Sequence, residues 1–266
     1  MPTAPQDGSR TLWPASWTRQ QRSTATILVS SFALVLFMWL VARPLARMPE
    51  PIGPAAEQFA EGTRVTVELT LVAGLMGMVA GVLAAVGKLS RFAPLRWAAE
   101  FYVWVIRGTP LLVQVLFVYL ALPMMVPQLK LSDFNSAALA LGVNVGAYNA
   151  EAIRAGIGAI PKGQTEAARS LGLSPLQTFG SIVFPQALKI ALPPLVNNVV
   201  ALLKDSSLAY VIGVVELSNI GNRVQAATFQ PVPVFIATAS IYLVLTTVLT
   251  QIAGAIELRM DVEQRH

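Results

Sequence analysis

The chain has 266 residues, of which 55% are hydrophobic and only 12% are charged, and its net charge is +5. Soluble domains carry about 25% charged residues, so this composition excludes an ordinary soluble protein and predicts an all-α polytopic membrane protein. Cysteine is absent and the only histidine is His266, which argues against disulfides, metal sites and histidine-based catalysis. The modest positive charge fits membrane topology, so we expect membrane lipid and not nucleic acid as a partner.

An ATP-binding loop is also missing from the sequence. Residues 81–88 read GVLAAVGK, but the glycine spacing is one residue too long, and Leu89 follows where Ser or Thr is needed. We therefore predict that this chain is not an enzyme and holds no cofactor of its own. If ATP drives its function, ATP and Mg²⁺ are bound by a partner subunit.

The N-terminal region precedes the first apolar run. Residues 1–25, rich in Pro, Ser, Thr and Gln, are predicted to form a flexible cytoplasmic tail. Residues 26–42 are predicted to form an extra N-terminal transmembrane helix. A cleaved signal peptide is the alternative, but no small-residue cleavage site follows, and Arg43-Pro44 comes at once.

Apolar runs of about 20 residues, the length that spans a bilayer, predict about six transmembrane helices. They lie at residues 26–41, 65–86, 111–122, 136–158, 192–215 and 234–256. In the second span, Gly77 and Gly81 form a GxxxG pair, which predicts close packing against another helix.

The basic residues indicate the orientation of these spans. With the N-terminus inside, thirteen lie in inner segments, five in outer segments, and Lys204 lies within a span. The inner residues are Arg10, Arg19, Arg22, Lys88, Arg91, Arg96, Arg107, Arg154, Lys162, Arg169, Lys189, Arg259 and Arg265; the outer residues are Arg43, Arg47, Arg64, Lys130 and Arg223. The positive-inside rule therefore predicts that both termini and the 159–190 loop are cytoplasmic.

The fourth and fifth spans carry charged residues that lipid does not tolerate. Glu151 and Arg154 are three residues apart, so they can pair on one helix face near its cytoplasmic end. Lys204 and Asp205 are adjacent and therefore point about 100° apart. We expect these residues to face protein or a watery cavity, because a charge in the bilayer centre costs about 2.5–3.5 kcal/mol. Pro193-Pro194 and Ser206-Ser207 predict a bent or broken helix.

The polar loop at 159–190 contains a short predicted helix at residues 166–171. Thr165 is a candidate cap, and Gly172 can close the helix in the left-handed conformation. Ser174 and Pro175 suit the start of a second helix.

The spacing within this loop is a motif. Glu166, Ala167 and Ala168 are followed by Gly172 after three residues and later by Pro185. This pattern resembles the EAA loop of ABC-importer permeases, in which it forms the coupling helix that docks on a cytoplasmic ATPase. Phe184 departs from the Leu that usually precedes the proline. The alternative is an ordinary helix–turn–helix connector.

Three further segments resemble the polar amino acid permease family of the histidine/glutamate/glutamine type. They are RGTPLLVQ at 107–114, AEAIRAGI with IPKGQ at 150–164, and LKDSSL at 203–208. The resemblance covers about residues 60–258, which we assign as the permease domain. The extra N-terminal helix departs from the many members that have five spans.

This resemblance implies a type I ABC-importer permease fold in the bacterial inner membrane. It also implies an ATPase dimer, a second permease subunit, identical or paralogous, and an extracytoplasmic substrate-binding protein. For the substrate it implies a polar L-amino acid, with glutamate, aspartate or glutamine as the first expectation and a basic amino acid as the alternative. The expected binding residues are Asp205 and Ser206, with Gln114 and Asn198 as neutral partners; helix–helix hydrogen bonding is the alternative role for each.

Glu151, Arg154 and Lys204 are predicted to have a structural or gating role. Two rival functions remain open at this point. One is an ion-coupled secondary transporter that uses the charged residues as a proton relay, and the other is a channel or scaffold. An EAA loop would have no purpose in either.

Overall fold

The computed structural model describes residues 13, 14 and 16–260. Within these residues the chain is helical, with no β-strand, which confirms the predicted all-α class. The α-helices are α1 (Arg19–Leu40), α2 (Ala42–Leu45), α3 (Ala56–Leu89), α4 (Ala93–Gly108), α5 (Leu111–Leu116), α6 (Leu122–Met125), α7 (Asp133–Gly158), α8 (Lys162–Ser170), α9 (Pro175–Thr178), α10 (Phe184–Asp205), α11 (Leu217–Thr228) and α12 (Pro231–Met260). Short 3-10 segments lie at Gly53–Ala55 and Ser206–Ile212, and π-helical turns lie at Phe117–Ala121 and Phe179–Val183.

Among the described residues, four helical segments are long and apolar enough to cross a membrane: Gln20–Leu40, Gly53–Leu89, Pro175–Ile212 and Pro231–Arg259. The bent pair Ala93–Gly108 and Leu111–Met125, with an angle of 111° between them, makes a fifth if it counts as one span.

The remaining predicted span corresponds to α7, which is less apolar than the other spans because it carries Asn, Glu and Arg side chains. Its 26 residues extend about 39 Å, which exceeds the hydrocarbon thickness of about 30 Å. Most residues in its first two-thirds are buried by the surrounding helices. Its polar side chains therefore need not face lipid.

The closest helix pair is α3 with α7, and it is built on glycines from both helices. A Cβ added at Gly77 would overlap the Val145 side chain, and one added at Gly81 would lie 2.6 Å from Asn149 Cβ. From the other side, a Cβ at Gly146 would lie 2.8 Å from Ala80 Cβ. This confirms the packing role predicted for the GxxxG pair.

The path of α10 differs in part from the expected broken span. The helix continues through Pro193 and Pro194 without interruption. At Ser206 the chain tightens into the 3-10 segment, which ends where Gly213 adopts a φ of 94°. The predicted irregularity is therefore located at the serines and not at the prolines.

The N-terminal helix α1 begins at Arg19, because Thr18 and Gln21 form a reciprocal capping box. Residues 19–25, assigned to the tail by sequence, are thus the first turns of α1, whereas residues 1–12 and 15 of that tail lie outside the described residues. Two serines attach α1 to α12: Ser23 Oγ donates to the carbonyl oxygen of Ala255 over 2.5 Å, and Ser30 Oγ donates to Gln251 Oε1 over 3.3 Å.

The loop between α10 and α11 is anchored by the fully buried side chain of Glu216. Its carboxylate accepts hydrogen bonds from the backbone N–H groups of Ser218 (2.9 Å) and Asn219 (2.7 Å), and so caps α11. It also accepts hydrogen bonds from Tyr242 Oη of α12 at 2.9 Å and from Thr66 Oγ1 of α3 at 3.4 Å. Burial raises the pKa of Glu216, although these hydrogen bonds act in the opposite direction.

Candidate functional site

A cavity of about 360 Å³ lies between α7, α10 and the start of α5, at the lower end of the size range of small-molecule sites. Its polar lining residues are Thr109, Asn144, Tyr148, Asn198 and Asp205. Leu111, Leu141, Val145, Ala201, Leu202 and Leu208 complete the lining. An apolar site with a few convergent polar groups is suited to orienting a small polar ligand.

The structure brings two of the four expected binding residues, Asn198 and Asp205, to the wall of this cavity. Gln114 does not line the cavity, but its Oε1 accepts a hydrogen bond of 2.9 Å from Asn144 Nδ2, and Asn144 does line it. Ser206 is fully buried, and its Oγ donates to the carbonyl oxygen of Leu203 over 2.7 Å. The structure therefore places Ser206 at the helix-to-3-10 transition, next to Asp205 but not in the lining of the cavity.

Hydrogen bonds to the end of α4 explain the position of the Gln114 side chain. The break between α4 and α5 leaves carbonyl groups without helical partners. Gln114 Nε2 lies within hydrogen-bond distance of Ile106 O (2.7 Å), Thr109 O (3.1 Å) and Thr109 Oγ1 (2.9 Å). The same side chain thus caps the end of α4 and holds Asn144 toward the cavity.

A second amide contact joins the two helices that form the cavity walls. Asn198 Nδ2 of α10 donates to Asn149 Oδ1 of α7 over 2.9 Å. Asn149 is 1% exposed, and its Nδ2 reaches the carbonyl oxygen of Gly77 at 3.4 Å. Sequence reasoning did not assign Asn144 or Tyr148 to the site, although their spacing of four residues places them on one helix face.

Lys204 and Asp205 point in different directions, as their adjacency predicts. Asp205 lines the cavity, whereas the exposed Lys204 lines a separate groove of about 560 Å³ with Ser207 and Tyr242. No ion pair between Lys204 and Asp205 occurs in the described part of the chain.

Glu151 and Arg154 form the predicted pair, with Arg154 Nε and Nη2 at 3.1 and 2.9 Å from Glu151 Oε2. The structure adds a third member, because Lys88 of α3 bonds Glu151 Oε1. Only 19% of the Glu151 side chain is exposed. This triad ties the end of α3 to α7, and Lys88 lies 63 residues from Glu151, so no local pattern indicates the contact.

The segment with the EAA pattern forms a compact surface helix. α8 begins at Lys162 behind Pro161, so Thr165 lies inside the helix and the prediction that it caps the helix is wrong. Ala168 is buried, while Glu166 and Ala167 are exposed.

The end of α8 agrees with the sequence expectation. Gly172 has a φ of 84°. Its N–H bonds Arg169 O at 2.9 Å, and the N–H of Leu173 bonds Ala168 O at 3.2 Å, which together are a Schellman closure. Ser174 then caps α9 in a capping box with Gln177, as predicted. Pro185 lies in the first turn of α10.

Across residues 13, 14 and 16–260 there is no cluster of three histidine, cysteine or acidic side chains that could hold a metal ion. The two features of the described chain that suggest function are therefore the polar cavity and the α8–α9 surface.

Residues 77–262 match the family described as "Binding-protein-dependent transport system inner membrane component". Curated relatives include the L-cystine transport system permease protein TcyB of Bacillus subtilis (strain 168), 37% identical over 75% of this chain and 85% of that protein. The arginine transport system permease protein ArtQ of the same strain is 37% identical over 75% of this chain and 91% of that protein. The glutamine transport system permease protein GlnP of Escherichia coli (strain K12) is 37% identical over 79% of this chain and 96% of that protein.

Solved structures give the same result at the level of fold. A chain from a crystal structure of an amino acid ABC transporter with histidines is similar with a TM-score of 0.73 and 36% identity, over 77% of this chain and 95% of that chain. The MetNI methionine ABC transporter, in an inward-facing conformation, shares the fold with a TM-score of 0.65 at 20% identity, over 80% of this chain and 99% of that chain. The chain therefore belongs to the family of inner membrane components of binding-protein-dependent transport systems.

Proposed function

We propose that this chain is the permease subunit of an ATP-driven importer that moves a polar L-amino acid, namely glutamine, glutamate or aspartate, across the bacterial inner membrane. The observation that carries the proposal is the cavity between α7 and α10. It joins one carboxylate, Asp205, with the amide groups of Asn144 and Asn198 inside the helical bundle. The named relatives for glutamine, arginine and cystine transport support an amino acid as the substrate class.

The lining residues suit the two ends of such a ligand. The Asp205 carboxylate can accept hydrogen bonds from an α-ammonium group, and charge-assisted bonds of this kind are about twice as strong as neutral ones. Asn144 and Asn198 can each donate to and accept from a side-chain amide or carboxyl group. Ser206 and Gln114 contribute by fixing the 3-10 turn and the α4–α5 break beside the cavity.

The α8–α9 surface supports coupling to an ATPase. Leu171 and Leu176 are 84% and 81% exposed, next to the exposed Glu166 and Ala167. We assign this surface as the docking site of a cytoplasmic ATPase dimer, which binds ATP and Mg²⁺. The complete importer contains a second permease subunit and an extracytoplasmic substrate-binding protein. Movement of α8 with the ATPases is expected to carry α7 and α10 and so to change the access of the cavity.

A basic amino acid is the second candidate substrate, and one observation favours it. Asp205 is the single charged residue among those lining the cavity, and a carboxylate attracts a cationic side chain. Relatives at 37% identity include one named for arginine and one named for glutamine, so overall identity does not separate the two candidates.

The test is uptake of labelled amino acids into proteoliposomes that contain this chain, its cognate ATPase and its binding protein. ATP-dependent uptake of labelled glutamine would support the first candidate if unlabelled glutamate, aspartate or glutamine inhibits it. Inhibition by arginine or lysine alone would support the second. Uptake driven by an ion gradient without ATP would contradict the importer proposal and favour a secondary transporter.

We also propose that both termini and α8 are cytoplasmic. The absence of cysteine allows a single introduced cysteine to report the side of the membrane. In right-side-out vesicles, an impermeant thiol reagent is expected to label Gln128→Cys and not Gln164→Cys. The reverse pattern would contradict this orientation.

A further inference from the structure

Arg107 lies in a helix and not in a loop, and it neighbours two residues that line the cavity. It is in the last turn of α4, and α4 is fixed along α7 by Tyr102 Oη, which donates to the carbonyl oxygen of Val143 over 2.6 Å. The guanidinium carbon of Arg107 lies 5.2 Å from the ring centroid of Tyr148. Tyr148 and Thr109, the second residue after Arg107, both line the cavity.

Arg107 is exposed to the outside of this chain, but it lies well along the membrane-spanning length of α7. Tyr148 is ten residues before Gly158, the last residue of α7, which corresponds to about 15 Å along the helix. Without Arg107, the inner segments hold twelve basic residues and the outer segments five, so the positive-inside bias keeps its direction. A guanidinium at this depth is costly in lipid, so it requires a protein partner, water or a ligand.

The protein satisfies only part of the bonding capacity of the Arg107 guanidinium. A guanidinium has five N–H donors, and the neighbouring Tyr148 ring offers it a cation–π contact. Within the described ranges, Arg107 has no ion pair, whereas Arg154 and Arg64 each have a carboxylate partner. The N–H edge of Arg107 therefore keeps its capacity for a bidentate anion.

We propose that Arg107 binds the α-carboxylate of the transported amino acid, while Asp205 faces its α-ammonium group. This inference rests on the proposed function and deepens it. The cation–π contact with Tyr148 helps to hold the guanidinium in place, and a planar fork matches the geometry of a carboxylate. The positive charge of Arg107 beside the cavity and the negative charge of Asp205 on its wall match the two charges of a zwitterion. The ligand class is thus an α-amino acid with a free carboxylate, and its side chain lies toward Asn144 and Asn198.

The test uses the purified permease–ATPase complex without the binding protein, so that the receptor's own selectivity does not contribute. Binding of labelled L-glutamine is measured in competition with unlabelled L-glutamine and with L-glutaminamide, which lacks the carboxylate charge. If uptake identifies a basic substrate, L-arginine and L-argininamide replace them. The wild-type complex should prefer the acid to the amide by about tenfold or more, the effect of one charged hydrogen-bonded pair.

Arg107→Met should reduce this preference to about threefold or less, and Arg107→Lys should give an intermediate ratio, because it keeps the charge and loses the fork. Arg96→Met is the matched control and should keep the wild-type ratio, because Arg96 lies in the same helix about three turns before Arg107. A purely structural effect would weaken acid and amide equally. An unchanged ratio in Arg107→Met would overturn the proposal, and if that variant does not fold, the same result in Arg107→Lys would do so.

These measurements distinguish failure of the proposed transport function from failure of the proposed role of Arg107. If the wild-type complex binds and transports no amino acid, the proposed function fails and the role of Arg107 fails with it. If the wild type binds the amino acid with the expected preference but the Arg107 variants keep that preference, only the role of Arg107 fails.

Discussion

Asn198 on α10 donates a 2.9 Å hydrogen bond to the buried Asn149 on α7, so one pair of amides joins the two walls of the cavity. Asn198→Leu removes the donor and leaves Asn149 Oδ1 without this partner. Hydrogen bonds between membrane helices contribute about 0.6 kcal/mol on average and up to about 1.7 kcal/mol. We expect the unfolding temperature in detergent to fall by about 1 to 7 °C.

Asn197→Leu is the matched control, because Asn197 is exposed, and it should change the unfolding temperature less. The double variant Asn149→Leu, Asn198→Leu should be less destabilised than the sum of its single variants. Additive effects would show that the two amides do not interact.

The glycines of α3 differ in how closely α7 approaches them. A Cβ at Gly77 would overlap Val145 and lie 2.9 Å from the carbonyl oxygen of Gly142, whereas a Cβ at Gly74 would meet only Leu202 Cδ2, at 3.5 Å. Gly77→Ala should therefore destabilise the protein by about 1–3 kcal/mol, and Gly74→Ala should be tolerated. Thermal unfolding of the two variants in the same detergent compares them, and equal unfolding temperatures would contradict the tight α3–α7 contact.

Gly172→Asp should separate ATP hydrolysis from transport. The left-handed conformation at Gly172 costs other residues about 1–2 kcal/mol, and a carboxylate at the C-terminal end of α8 opposes the helix dipole. Since nothing lies within 4 Å of the added Cβ, the protein should still fold. ATPase activity in proteoliposomes should persist while amino acid uptake falls by about tenfold or more, a loss equivalent to about 1.4 kcal/mol.

Gly163→Asp provides the control, because it adds the same charge in the first turn of α8, where the dipole favours it, and also meets no atom within 4 Å. Its uptake should remain near wild type. Normal uptake by Gly172→Asp would argue against docking through the end of α8.

Glu151→Gln should be more damaging than Glu61→Gln, although both acids pair with an arginine three residues later. The Glu61 side chain is 63% exposed, and exposed pairs contribute about 1 kcal/mol or less. Glu151 is mostly enclosed and also bonds Lys88. Glu151→Gln should therefore lower the free energy of unfolding by somewhat less than the about 3–5 kcal/mol lost when a fully buried ion pair is broken. Thermal unfolding compares the variants, and similar shifts would contradict the role of Lys88.

The pH dependence of stability should contain a contribution from Glu216. Because burial raises its pKa in the folded chain, the folded state binds a proton more readily than the unfolded chain. The contribution of Glu216 to the free energy of unfolding is therefore fully present below the ordinary pKa of glutamate. It is lost as the pH rises through the raised pKa that Glu216 has in the folded protein. Lowering the pH from 8 to 5 should stabilise the wild type relative to Glu216→Gln. Tryptophan fluorescence can follow unfolding, and parallel pH profiles would contradict this account.

Local signals in the sequence predicted several features because neighbouring residues determine them. Gly172, Ser174 and Pro175 mark the end of one helix and the start of the next through backbone preferences alone. Thr165 failed as a cap because Pro161 already starts α8, one turn earlier. The two signals compete within four residues, and the sequence does not say which one prevails.

Contacts between distant helices could not be predicted in this way. Lys88 meets Glu151 across 63 residues, and Asn198 meets Asn149 across 49. The predicted third span, residues 111–122, follows α4 at an angle of 111°, and this bend is what gives Gln114 its carbonyl partners and brings Arg107 to Tyr148. The residue types indicated a polar interior, but the helix packing decided which side chains line the cavity.

The attachment of α1 to α12 has a consequence for the order of assembly. Ser23 bonds a carbonyl group 232 residues further along the chain, so α1 is synthesised well before its main partner, α12. At about 5–20 residues per second, this interval is about 12 to 46 s. During it, Ser23 and Ser30 lie in the membrane without the groups that they bond in the finished protein. We therefore expect α1 to complete its packing only after α12 has been synthesised.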